Sequence, residues 1–172
     1  MNEQTNISNT TRIIALGAVI AAVYAALTYL TAPISFSAIQ FRVSEALTLL
    51  PVLTADAVPG LFVGCLLANV FGGAVWFDVV LGALATLLAA LCTRRFRSRP
   101  PVAAVFPAVF NGLIVGPVVY FAYVRAPGAP VSVPTLLFNM ATVAFGELVV
   151  CCVLGLVLVY ALKRLPRDVV GD

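Results

Sequence analysis

The chain has 172 residues, of which 62% are hydrophobic and 10% charged, with a mean hydropathy of +1.09 and a net charge of +3. Soluble domains carry about 45–50% apolar and about 25% charged residues, so a water-soluble globular domain is excluded and lipid is the expected solvent. At about 20 residues per transmembrane helix, five or six spans fill the chain, and residues 1–172 read as a single integral membrane domain with a disordered polar tail over 1–10 and a cytoplasmic tail over 166–172.

In chain order, the first apolar run predicts a helix from about Thr11 to Leu30, broken by Ala32-Pro33 and the serines that follow. It is too long for a signal-peptide core and lacks a convincing cleavage site, so it reads as a retained span. A short second helix is expected after Ser44, stopping near Pro51, and a third from about Pro59 to Phe71, ending at Gly72-Gly73. Neither is comfortably long enough to span alone. A fourth helix is predicted from Asp78 to Cys92 against an arginine cluster (Arg94, Arg95, Arg97, Arg99), and a fifth from Val102 to Tyr123 with kinks at Pro107 and Pro117. The last begins near Leu136 and runs to Leu162.

Basic residues set the expected orientation. With six spans and both termini on one side, that side collects Arg12, the four clustered arginines, Lys163, Arg164 and Arg167, leaving Arg42 and Arg125 opposite. This is a positive-inside bias that puts both termini in the cytoplasm. Five spans would split the arginine cluster from the basic tail. A short basic loop in so apolar a chain is a topology signal rather than a nucleic-acid patch.

The chain contains no His, HExxH, GxSxG or Walker A pattern, which argues against a self-contained metalloprotease, serine hydrolase or ATPase. Cys65, Cys92, Cys151 and Cys152 have neither metal-site nor redox-pair spacing and read as buried, reduced packing residues. No internal repeat stands out, so a complete transporter acting alone is not expected at this size.

The informative residues are the polar ones in apolar surroundings. Glu147 has 21 charge-free residues before it and 15 after; an ionisable group carried that deep marks a functional site or has a partner on a neighbouring helix. Arg42 and Glu45, at i and i+3, are spaced to pair, with Ser44 capping the short helix, or to form with Gln40 the wall of an outer pocket. Asp78 fits either the cap of the fourth helix or a ligand group. Asn69, Asn111 and Asn139 are amides that need partners in lipid, while Trp76 and Tyr123 suit interfacial anchors. Carboxylates, amides and an aromatic face together suit a flat, hydrogen-bonding heterocycle with positive character. On the first helix, Gly17, Ala18, Ala21, Ala22, Ala25 and Ala26 give overlapping small-xxx-small series, suited to packing within the bundle or to docking another subunit.

Three stretches carry a family signature: Gln40-Phe-Arg-Val-Ser-Glu-Ala-Leu-Thr-Leu-Leu-Pro51, Ala57-Val-Pro-Gly-Leu-Phe-Val-Gly-Cys-Leu-Leu-Ala-Asn69 and Asp78-Val-Val-Leu-Gly-Ala-Leu-Ala-Thr-Leu-Leu-Ala-Ala90. With Gly146-Glu147, they closely resemble the QueT family, membrane S components of energy-coupling factor (ECF) transporters. The likeness runs from about Thr11 to Leu162. It implies a six-helix transmembrane bundle in a prokaryotic cell membrane that captures a queuosine precursor, a 7-deazapurine such as queuine or its aminomethyl form preQ1. It also implies a transmembrane coupling protein and two ATP-binding cassette subunits as partners, ATP being used by those subunits, with no cofactor on this chain.

On that reading Glu147 and Asp78 accept from the base or its aminomethyl cation, Asn69 and Asn111 read its edge, Trp76 offers a stacking face, and Gln40, Arg42 and Glu45 form a lid or gate. Ala18, Ala22 and Ala26 form the coupling stripe. The alternatives are an S component for another vitamin or heterocycle, and a small membrane enzyme using Glu45 and Asp78 as an acid and base pair.

Overall fold

The computed structural model describes residues 2–35 and 41–165, and these are helices and connecting turns. Among the described residues, four helices are long and apolar enough to cross a membrane: α1 (Asn2–Leu30, its apolar span being Thr10–Leu30), α4 (Trp76–Arg95), α5 (Pro100–Val124) and α6 (Val133–Leu162). Between α1 and α4 come two shorter apolar helices, α2 (Val43–Val52) and α3 (Ala57–Phe71). The exposed surface is rich in large apolar side chains, Leu30, Phe138 and Val157 among them. Such a coat suits acyl chains rather than water.

The boundaries differ from expectation in instructive ways. α1 starts at Asn2, so the segment expected as a disordered tail continues the helix. No Gly or Pro precedes Gly17, and extending an existing helix costs far less than nucleating one. The tail over 166–172 lies outside the described residues. α2 is a ten-residue 3-10 helix, unusually long for its kind. Ser44 does not cap it: Arg42 occupies the cap position in an extended conformation, and Ser44 Oγ instead meets Thr28 Oγ1 at 2.6 Å. Nor is Asp78 the cap of α4, which starts at Trp76 with Val75 before it. Gly73, at φ +71°, ends α3 in the left-handed conformation that favours glycine.

The expected kinks take a definite form. Pro107 has no N–H to give the Ala103 carbonyl one turn back, and the Thr93 hydroxyl reaches that carbonyl at 3.4 Å from α4. Around Pro117 the helix widens to i→i−5 bonding over Asn111–Val115 and again over Tyr120–Val124; α6 does the same over Cys151–Gly155. Such π segments are frequent at functional sites.

Packing runs in sequence from α1 to α3, α3 to α4, α4 to α5 and α5 to α6, with α2 lying across the middle against α1, α4 and α6. Two glycine seams set the close approaches. A Cβ on Gly60 would stand 2.6 Å from the Gly17 carbonyl oxygen, and one on Gly64 2.8 Å from Tyr24 Cβ, so α1 and α3 touch backbone to backbone. Likewise a Cβ on Gly116 would meet Met140 Cα at 2.6 Å and one on Gly112 would meet Ala144 Cβ at 2.8 Å. That seam brings Asn111 on α5 alongside Glu147 on α6.

One end of the bundle carries the Arg12–Asp56 ion pair at 3.8 Å and Arg94 Nη1 donating to the Pro51 carbonyl at 3.2 Å. At the start of α4, Val75, Asp78 and Tyr123 are joined by hydrogen bonds.

Candidate functional site

A 3-10 helix repeats every three residues, so Ala46, Leu49 and Val52 form one buried edge of α2 and Glu45, Thr48 and Pro51 another. The first edge joins an apolar cluster with Ala103, Ala104, Cys151 and Val159. That packing fixes α2 and leaves Glu45 fully enclosed near the centre. The Tyr24 hydroxyl of α1 donates to Glu45 Oε1, so the hydrogen bond comes from another helix rather than from Arg42 three residues away. Glu45 Oε2 is buried with no hydrogen-bond partner.

The other polar residues gather around this point. Arg42 is 4% exposed, and its Nη1 donates to Cys65 Sγ at 3.9 Å. Asn69 Nδ2 donates to the same sulfur at 3.8 Å and to the Asp78 carbonyl at 3.5 Å. Glu147 is 2% exposed, within electrostatic reach of Glu45 and Arg42 and close to Asn111. Asp78 is held at one oxygen: the Tyr123 hydroxyl donates to Oδ2 at 2.9 Å while accepting from the Val75 amide at 3.1 Å. Arg42 and Glu45, expected as a lid, are thus interior groups.

Polar atoms inside an apolar bundle are almost always paired. Here Glu45 Oε2, Asn69 Oδ1 and Asp78 Oδ1 are buried with no hydrogen-bond partner, while Asn111 Nδ2 and Glu147 Oε2, on side chains within reach of each other, and Thr86 Oγ1, within reach of the Cys65 thiol, make no hydrogen bond of good geometry. They come from α2, α3, α4, α5 and α6. Among the described residues the buried charged side chains are one guanidinium, Arg42, and three carboxylates, Glu45, Asp78 and Glu147. The cluster is acceptor-rich and suited to a ligand that donates N–H groups. No group of three His, Cys, Asp or Glu among the described residues is arranged to hold a metal ion.

The structure therefore brings Arg42, Glu45, Asn69, Asp78, Asn111 and Glu147 to one interior region. Trp76 does not join them: it is 77% exposed and packs edge-on to Phe77 at 5.7 Å. Gln40 lies outside the described residues. Asn139 is satisfied on its own helix, donating to the Thr135 carbonyl at 2.8 Å. Cys65 and Cys151 are buried and free as expected, but Cys92 is half-buried and Cys152 exposed; nothing about an apolar run says which face meets lipid. Ala18, Ala22 and Ala26 are exposed, while Gly17 and Ala21 face α3.

Sequence reasoning missed Tyr24, Cys65 and Thr86 as members of the cluster, and took Tyr123 for an interfacial anchor rather than the partner of Asp78. Two signals pointed to them. Gly17, Ala21, Tyr24 and Thr28 repeat at helical spacing on one face of α1, and Thr86 is two turns from Asp78 on α4.

An apolar helical bundle with unsatisfied carboxylates and amides at its centre defines a membrane protein built to bind a polar small molecule. Residues 14–164 match the family model described as QueT transporter, and the chain belongs to the QueT family. It is similar to the Queuosine precursor transporter QueT of Lactococcus lactis subsp. cremoris (strain MG1363), 37% identical over 73 residues, 41% of this chain and 43% of that protein. The matched segment thus spans less than half of that relative. No solved structure matches. Membership of a transporter family, with four apolar helices of crossing length among the described residues, makes this a multi-pass membrane protein and counts against the small membrane enzyme considered above.

Proposed function

We propose that the chain is the substrate-binding S component of an ECF transporter. It forms a six-helix bundle with both termini in the cytoplasm and captures a queuosine precursor, queuine or preQ1, on the outer side. A transmembrane coupling protein and two ATP-binding cassette subunits energise it, and the loaded subunit topples to release its ligand inside.

One observation carries the ligand part of this reading: buried carboxylate, amide and hydroxyl atoms from five helices make no protein hydrogen bond of good geometry. A 7-deazaguanine offers ring and exocyclic N–H donors with a carbonyl acceptor, and its aminomethyl form adds a cation; three carboxylates and two amides complement that set. The name of the Lactococcus relative supports the substrate class. The partner part draws support from the exposed Ala18, Ala22 and Ala26 stripe on α1, a smooth surface for close helix packing. The eight-to-two division of basic residues supports the orientation.

The test is co-expression with an ECF module, mild detergent purification and mass spectrometry of the retained small molecule. The expected result is an unmodified 7-deazapurine and co-elution of the ATPase subunits. A different retained heterocycle contradicts the substrate, and the absence of co-eluting subunits contradicts the S-component role.

A further inference from the structure

The buried threonines follow a rule with one departure. A hydroxyl in an apolar interior needs a partner, and a nearby backbone group usually supplies one. Thr28 donates to the Tyr24 carbonyl at 3.0 Å, Thr48 to the Glu45 carbonyl at 2.5 Å and Thr93 to the Ala103 carbonyl at 3.4 Å, while Thr54 accepts from the Asp56 amide at 3.3 Å. Thr86 is fully enclosed on α4, and its Oγ1 has no hydrogen-bond partner. It makes no hydrogen bond to the carbonyl that its own helix offers, and the side chain within its reach is the Cys65 thiol.

The register of α4 shows the face on which Thr86 lies. Asp78, Gly82 and Thr86 recur every four residues, so they share one face at intervals of about 6 Å. The first two already belong to the site. Asp78 Oδ1 is buried and unpartnered, and a Cβ on Gly82 would stand 2.8 Å from Asn69 Nδ2, so the Asn69 amide lies against bare Gly82 backbone. Thr86 continues that face inward beside Cys65, the thiol on which the Arg42 and Asn69 side chains converge.

We infer that Thr86 is a substrate contact at the inner end of the site, its hydroxyl hydrogen-bonding an edge atom of the bound heterocycle. This rests on the proposed function and deepens it: the ligand lies along α4 between the Asp78 carboxylate and the Thr86 hydroxyl.

A structural role and a ligand role predict opposite results for Thr86→Val, which keeps the shape and removes the hydroxyl. Since the protein group within reach of that hydroxyl is the Cys65 thiol, a weak hydrogen-bond partner, its loss changes ligand-free stability little. Removing a hydrogen bond to the ligand from the same position weakens binding roughly tenfold. The experiment titrates preQ1 into the purified full chain in detergent for wild type, Thr86→Val and Thr86→Ser, with ligand-free melting temperatures measured in parallel. The expected pattern is reduced affinity with retained stability for Val and near-wild-type affinity for Ser. Wild-type affinity in Thr86→Val overturns the inference, as does a shared loss of melting temperature and affinity in both variants. Failure of the wild type to bind preQ1 overturns the substrate reading and this inference with it, and shows in the wild-type titration alone.

Discussion

The α1–α3 seam and the polar centre beside it are built on opposite principles. At the seam, Gly17, Ala21, Gly60 and Gly64 remove side chains so that two backbones meet. At the centre, Glu45, Asn69, Asp78, Asn111 and Glu147 bring in polar side chains, each with one buried atom that makes no hydrogen bond of good geometry. The seam is complete without anything further. On the proposed function a ligand completes the centre, and the stability lost by leaving those atoms unpaired is the cost of keeping a site ready to bind. Tyr24 joins the two regions, since its Cβ packs against Gly64 while its hydroxyl holds Glu45.

Substitutions separate the two regions by what they change. Gly60→Val has the largest expected effect, because even a Cβ lies 2.6 Å from the Gly17 carbonyl oxygen. Overpacking of this kind should lower stability by about 3 kcal/mol. Thermal unfolding in detergent measures it, and an unchanged melting temperature would mean that the seam yields easily. Tyr24→Phe removes the donor to Glu45 Oε1 and leaves both carboxylate oxygens without a hydrogen bond; about 2 kcal/mol is expected. It should lower ligand-free stability and preQ1 affinity together, as befits a residue in both regions.

Smaller effects are expected farther from the centre. Gly82→Ala would crowd only the end of the Asn69 side chain, so preQ1 affinity should fall by about tenfold while stability changes little, by titration and melting on the same samples. Ala22→Leu lies on the exposed face of α1. It should change stability and ligand affinity by no more than about 0.5 kcal/mol while abolishing co-elution with the ECF module. Loss of ligand binding in that variant would assign the stripe to the bundle instead.

Much of this was legible because lipid makes polarity informative. Glu147, Asn69, Asn111 and Asp78 stand out in a chain with so little charge, and each is buried in the same interior region. The order and approximate limits of the long helices follow from charge-free runs and from Pro and Gly at their ends. What was illegible depends on rotation and on backbone detail. Composition cannot say that α2 is a 3-10 helix, or that Glu45 takes its hydrogen bond from Tyr24 of α1.

Nor do hydropathy patterns reveal π segments, because a single extra residue per turn leaves no compositional mark. Thr86 was overlooked because a threonine on an apolar helix ordinarily finds a backbone partner, and its failure to do so is a matter of packing in three dimensions. Trp76 illustrates the reverse, a conspicuous residue whose exposed position suits the membrane boundary.

The central claim is that the interior polar cluster is completed by ligand rather than by protein. Calorimetric titration of preQ1 into wild type and Glu147→Gln, with ligand-free melting temperatures, tests it most directly. Replacing a buried carboxylate by the matching amide should leave ligand-free stability unchanged or raised and weaken binding about a hundredfold, the loss of one charge-assisted hydrogen bond. Wild-type affinity in Glu147→Gln, or a fall in melting temperature that alone accounts for the lost binding, would contradict it.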